Sequence, residues 1–289
     1  MKITIIGLGL IGGSLALDLR ANGFAHHLIG VDNNEDHCRI ALEEGLVDEI
    51  LELEFACKRA DIVVLAIPVN AIMKLLPQVL NLVDEQTVVI DMGSTKGEIA
   101  SAIYEHPLRA RVVLAHPMAG TEYSGPLAAV SNLFQHKAAI LCDTHLSDED
   151  AVQLAERLFK SLFMRLSYME SGDHDRHAAY VSHVSHISSF VLALTVLEKE
   201  KSDVNIFNLA SGGFASTVRL AKSSPQMWRD VYEQNAGNLV DVLDSYLEKM
   251  QAFRDRIATG DFDQTYAWME EANAIGAIVD RLNKPILKK

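Results

Sequence analysis

The segment Gly7-Leu8-Gly9-Leu10-Ile11-Gly12 directly follows the apolar run Ile3-Thr4-Ile5-Ile6 and opens a helical pattern, a spacing that can cradle a dinucleotide. Gly7 permits the tight turn, Gly9 lets the backbone approach a pyrophosphate, and Gly12 allows helix and strand to pack closely. The helix N-terminus at Leu10 and Ile11 offers N–H donors to the phosphates. Asp32 stands 20 residues beyond Gly12, at the end of the second β-branched run. A carboxylate there accepts hydrogen bonds from both ribose hydroxyls of NAD and repels the 2′-phosphate of NADP. The expected cofactor is NAD. Asn33 and Asn34 carry no charge for a 2′-phosphate, and Arg39 is the nearby cation that argues the other way.

Three further strand ends carry residues of interest: Ala66-Ile67-Pro68, Asp91 to Gly97, and His116-Pro117-Met118-Ala119-Gly120-Thr121-Glu122. An open parallel sheet binds its ligand outside the carboxyl ends of its strands, so all three should face the cofactor crevice. By residue type alone, His116 is either a hydrogen-bonded loop histidine or an acid–base group. Ser94 either caps the helix that follows or contacts a ligand. His183 and His186 lie one helical turn apart, and His174 and His177 repeat that kind of spacing. A metal could use such pairs, but no Cys or Glu completes a ligand set, and none is expected.

These residues need elements to hold them. Short β-branched runs (Ile3 to Ile6, Leu28 to Val31, Ile62 to Ile67, Thr87 to Asp91, Arg111 to Ala115, Lys137 to Cys142, Met164 to Ser167) alternate with helix-length stretches such as Ile72 to Leu82 and Asp148 to Leu162. That alternation predicts an α/β fold with a doubly wound, Rossmann-type sheet over residues 1–168. Ser147 is the expected cap of the helix near 148. After Ser171-Gly172-Asp173 apolar residues recur every three to four positions, which predicts an all-helical domain over 169–289. Ser224-Pro225 should start a long helix, and a last one should run from Phe262 to Leu282. Long helices with one apolar stripe bury it against a copy of themselves, so a homodimer is expected.

With 289 residues, 26 Lys and Arg, and 39 Asp and Glu, the chain carries a formal charge of −13. An acidic surface opposes nucleic acid and anionic membranes alike. The run after Met1-Lys2 resembles a secretory signal, but four glycines between Gly7 and Gly13 weaken that reading. The longest other apolar stretch, Phe190 to Leu197, falls short of a bilayer span, so no membrane association is expected. Cys38, Cys57 and Cys142 are widely spaced and odd in number, which fits a reducing cytoplasm.

The glycine fingerprint, GSTKG at 93–97, HPMAGTE at 116–122, SHVSH at 182–186 and GGFASTVRLAKSSPQMWRD at 212–230 together resemble the prephenate dehydrogenase family of tyrosine biosynthesis, in order and spacing over nearly the whole chain. The resemblance implies NAD-dependent oxidation of the ring alcohol of prephenate, with loss of carbon dioxide, to 4-hydroxyphenylpyruvate. The amino counterpart arogenate, giving tyrosine directly, and a different small hydroxy acid are the alternatives. It further implies that His116 is the general base, that Ser94 positions the reacting hydroxyl or the histidine, and that Arg219 grips the side-chain carboxylate through a two-pronged contact. His183 and His186 should bond substrate, Thr121 and Glu122 should stand at the entrance, and Trp228 should line it; His174 should be a plain surface residue. In relatives an acid three positions before the arginine often completes the entrance, and here that position is Ser216. A small hydroxy acid would instead call for a lysine base, for which Lys96 is the candidate.

Overall fold

A computed structural model describes residues 1–203 and 205–283, the last three by backbone alone. Its strands are β1 (Lys2–Ile6), β2 (His27–Val31), β3 (Glu49–Ile50), β4 (Ile62–Leu65), β5 (Val88–Asp91), β6 (Val112–Pro117), β7 (Ala138–Cys142) and β8 (Arg165–Met169). The helices are α1 (Leu10–Ala21), α2 (Glu35–Glu43), α3 (Leu53–Lys58), α4 (Val69–Leu82), α5 (Gly97–Ile103), α6 (Glu149–Ser161), α7 (Ser171–Ala178), α8 (Val184–Glu200), α9 (Gly212–Thr217), α10 (Pro225–Gln234), α11 (Ala236–Thr259), α12 (Phe262–Asn273) and α13 (Ile275–Asn283).

The strands form one sheet in the order β3-β2-β1-β4-β5-β6-β7-β8. Every pairing is parallel except that of β6 with β7, where His116 lies opposite Ile140. Side chains alternate between the faces, as the pleat requires. Ile3, Ile5, Ile62, Val64, Val88 and Ile90 pack with Leu15, Leu19 and Phe159 on one face. Val63, Leu65, Val89, Val112 and Leu114 pack with Ile72, Leu76, Val79 and Ile99 on the other. Two buried faces explain why the strands read as continuous apolar runs and not as alternating ones.

The chain divides into two compact units, Met1–Ala236 and one beginning at Gly237. The first therefore contains the sheet and also the helical run through α10. Within it α10 is held against α4 and the β5–α5 connection: Asn70 Nδ2 donates to Glu233 (2.9 Å), Gln234 Nε2 donates to Asn70 (2.8 Å), and Thr95 Oγ1 donates to Gln234 (2.6 Å). In the second unit Trp268 packs on Phe253 and lies under the Arg256 guanidinium, 3.5 Å from its ring centre. Asp261 caps α12 through the Gln264 amide.

Several boundaries differ from expectation. β3, two residues long, carries no periodic signal. Ser147 does not cap α6, because its hydroxyl donates to the Val112 carbonyl (2.6 Å) and the cap position passes to Asp148. Ser224 does cap α10, yet that helix stops at Asn235, and the last helix breaks at Ala274. Between α7 and α8 the residues Ala179–His183 form a wide π turn, making the run Ser171–Glu200 continuous over 30 residues. Its most apolar window has a mean hydropathy of 1.4, so by length and composition this one helix among the described residues could cross a bilayer, which counting from Phe190 had missed. Its first half is instead tied by polar contacts to the sheet's carboxyl edge, as described below.

The first turn shows why glycine is needed. A Cβ on Gly12 would lie 1.9 Å from the Gly7 carbonyl oxygen. Gly12→Ala is expected to lower stability by about 3 kcal/mol, since backbone cannot yield as a side chain can; chemical denaturation measures it, and an unchanged midpoint would contradict this packing.

Candidate active site

The cofactor cradle is assembled where β1 and β4 end. Gly7 sits at φ +97°, and a Cβ there would meet Ala66 O at 2.5 Å and Ile67 Cγ2 at 2.6 Å, so the turn is pressed against the Ala66-Ile67-Pro68 segment. Gly9, by contrast, would direct a Cβ into open space. No side chain caps α1, which leaves the N–H groups of its first turn, from Leu10 and Ile11, for an anion. Asp32 accepts from the Leu8 amide (2.8 Å) and the Asn34 amide (2.9 Å), which fixes its carboxylate beside the glycine turn. Arg39 is occupied elsewhere, by Glu43 and Asp36. The cradle thus fits a dinucleotide, and its acidic end favours unphosphorylated ribose.

His116 occupies the carboxyl end of β6, buried but for 8 % of its surface. Its Nδ1 meets His174 Nε2 at 2.8 Å, and His174 Nδ1 meets Asp175 Oδ1 at 2.8 Å. Asp175 also accepts from the Lys96 and Gly97 amides, both at 2.8 Å, capping α5 from another element. An ionised carboxylate can only accept, so His174 carries a proton on Nδ1, and as a neutral ring it accepts at Nε2. His116 must then donate from Nδ1, which leaves its Nε2 as a lone pair with no protein partner among the described residues. Burial, and after it the neighbouring His174, Lys96 and His183, hold its pKa well below the usual histidine range. The imidazole is a neutral proton acceptor.

Lys96 is fully buried, its ammonium bound by Asp91 and by the Ala115 carbonyl (2.7 Å), and Asp91 accepts in addition from the Gly93 amide (2.7 Å). Neither residue faces the crevice, contrary to expectation, and a sealed, paired lysine cannot serve as a substrate base. Ser94, half-buried in the same connection, makes no hydrogen bond to His116 among the described residues and does not cap α5.

His183 is also buried, and its Nδ1 accepts from Asn235 Nδ2 at 3.1 Å, so its hydrogen lies on Nε2. Burial pushes its pKa down to about 4, against a partial upward pull from Asp175. His186 donates Nδ1 to the Ser182 carbonyl (3.0 Å) and lies on Trp228, ring centres 3.8 Å apart. Trp228 meets His183 edge-on and lines an apolar groove of about 490 Å³ with Ile187, Phe190 and Tyr232. Arg219, more than half exposed, has Glu122 within 3.8 Å. An acid therefore faces the arginine even with Ser216, whose hydroxyl turns to the Gly213 carbonyl. Thr121 is exposed.

The sequence reading missed three residues of this network: His174, Asp175 and Asn235. His174 is 2 % exposed, not a surface residue. In an unbroken α-helix His174 and His183, nine positions apart, would project to opposite faces, about 180° apart. The wide turn at Ala179–His183 winds less per residue and swings His183 back towards the side of His174. The only available signal was two histidine pairs in one helical run. Among the described residues no cluster of His, Cys, Asp or Glu could hold a metal.

Comparison with known proteins bears on what this geometry does. Residues 15–168 match the family model described as prephenate dehydrogenase, nucleotide-binding domain, and residues 170–271 that of its dimerization domain. A prephenate dehydrogenase of Bacillus subtilis is 30% identical over 94% of this chain and 75% of its own length. The crystal structure of prephenate dehydrogenase from A. aeolicus, in complex with hydroxyphenyl propionate and NAD+, superposes with a TM-score of 0.89 at 29% identity, covering 96% of this chain and 98% of that one. Synechocystis arogenate dehydrogenase gives 0.77 at 28%, over 96% and 100% of the two chains. With both halves matched in order and the cradle and buried histidine at one sheet edge, this chain belongs to the prephenate dehydrogenase family.

Proposed function

We propose that the protein carries out the NAD-dependent oxidative decarboxylation of prephenate to 4-hydroxyphenylpyruvate and carbon dioxide, with NADH formed. The observation that carries this reading is the buried chain of contacts from His116 Nδ1 through His174 to Asp175, which assigns the His116 hydrogen to Nδ1 and leaves Nε2 bare at the sheet edge that bears the glycine cradle. The turn of Gly7, Gly9 and Gly12 with Asp32 would hold NAD, which would supply the acceptor for the hydride of the carbinol carbon. His116 takes the hydroxyl proton at Nε2, within the range of about 10²- to 10⁴-fold that a positioned base contributes. Loss of carbon dioxide makes the ring aromatic and asks little of the protein, so its task is alignment. Arg219 holds the side-chain carboxylate, with Glu122 limiting the guanidinium's movement and Thr121 beside it at the entrance. His183, His186 and Trp228 bound the ring side, and Ser94 contacts the hydroxyl or the nicotinamide.

We place the domain division at 168/169, at the last residue of β8 and just before the helices that begin at Ser171. Exposed apolar residues on α8 (Val191, Leu194, Leu197) and α11 (Leu247, Met250, Ile257) support a homodimer through the helical part. Three unpaired cysteines support a cytoplasmic setting. A small hydroxy acid as substrate is disfavoured, because Lys96 is sealed from the crevice.

Purified protein is expected to form NADH with prephenate and NAD, and a four-way assay of prephenate and arogenate with NAD and NADP separates the related readings. His116→Asn should cut kcat by about 10³-fold while leaving NAD affinity intact; full activity in that variant would refute the base. Arg219→Ala should raise KM for prephenate about 10- to 100-fold, the loss of one charge-assisted contact. A pKa below the ordinary histidine value keeps His116 in its accepting form further into acid. The acidic limb of kcat/KM should therefore fall below pH 6.5, and a midpoint at or above 6.5 would contradict its burial.

A further inference from the structure

We infer that His174 and Asp175 are positioning residues for the reaction, a buried pair that dictates which nitrogen of His116 is left to accept the substrate's proton; this rests on His116 being the base. Four contacts in series carry the inference. The Lys96 and Gly97 amides hold both oxygens of Asp175, Asp175 orients the Nδ1–H of His174, and His174 Nε2 orients the Nδ1–H of His116. The site is built for that carboxylate. A Cβ on Gly97 would stand 3.1 Å from Asp175 Oδ2, a tight approach from which the carboxylate would have to shift by a few tenths of an ångström. Asn235 Nδ2 donates to the Asp175 carbonyl at 2.8 Å, fixing the same residue from α10.

Residues on three elements thus converge on one proton position. Were the chain of donors reversed, His116 would carry its hydrogen on Nε2 and could accept nothing from substrate. In the forward step the substrate hydroxyl loses its proton to Nε2, and His116 becomes a cation with both nitrogens protonated. His174 Nε2, an acceptor already in line, steadies that cation through the Nδ1–H, and Asp175 supplies the balancing negative charge one ring further on. The pair contacts neither the reacting carbon nor the cofactor cradle and acts only through His116.

The test compares Asp175→Asn and His174→Phe with His116→Asn in the full-length protein. Both positioning variants should lose about 10²- to 10³-fold in kcat, no more than His116→Asn, with KM for NAD and prephenate within about threefold of the parent. Nitrogen-15 correlation spectra of histidine-labelled protein should show His116 protonated at Nδ1 in the parent and at Nε2, or at both in exchange, in Asp175→Asn. A merely structural role would move stability but not that tautomer. Parent-like kcat in Asp175→Asn alongside an inactive His116→Asn overturns the inference while leaving the base in place. An active His116→Asn removes the base and the inference with it. Should either positioning variant fail to fold, the parent spectrum decides: hydrogen on His116 Nε2 at neutral pH overturns the inference.

Discussion

The carboxylate of Asp175 joins the helical run to the sheet at the one place where the chemistry needs them together. It lies in the middle of α7, yet it caps α5 through the amides of Lys96 and Gly97, the N-cap and first residue of that helix, which the connection from β5 brings to the sheet edge. Those amides have no partner within their own helix, and no local side chain caps them. Leaving such donors buried and unpaired costs about 1–3 kcal/mol each, and leaving the acid unpaired costs more. The contact therefore holds α7 against the sheet edge, and with α7 in place His174 lies beside His116.

A buried ion pair stands behind this arrangement. Lys96 and Asp91 are both fully buried, and isolated charges at that depth would cost several kcal/mol apiece. Here the ammonium also reaches the Ala115 carbonyl, and Asp91 also accepts from Gly93, so each charge has a second polar partner. The pair ties β5 to the residue before His116. Burial is the main reason that His116 stays neutral, and the Lys96 cation, after His174, adds to it by opposing a charge on the imidazole. One lysine thus serves both the packing of a strand end and the electrostatics of the base next to it.

The cofactor end follows a plainer logic. Gly7 and Gly12 are constrained by backbone that presses on them, whereas Gly9 faces open space, and only at Gly9 is that space left for a ligand. Asp32 is fixed to the glycine turn by the Leu8 amide, so the residue that selects the ribose and the loop that meets the phosphates move as one body. Arg39, the cation that could have altered the selection, spends its charge on α2 neighbours.

Much of this was legible in the residues themselves. Strand, glycine turn, helix and acid in register specified the cradle because each step is local: φ preference, close approach, helix N-terminus. The change from β-branched runs to three- and four-residue spacing near 170 likewise marked the passage to helices. His116, Arg219, His183 and Trp228 could be named from motif order. What only the tertiary structure decided is which polar groups meet across long separations. Asp175 and Lys96 are 79 residues apart, and His116 and His174 are 58 apart. A histidine in a polar helical segment reads as solvent-facing, because composition reports the helix and not the surface it docks on. The wide turn before α8 has no composition of its own, yet it changes the direction of every later side chain on that run. A proton's place on one ring nitrogen depends on a carboxylate two side chains away, and that information exists only once the chain has folded.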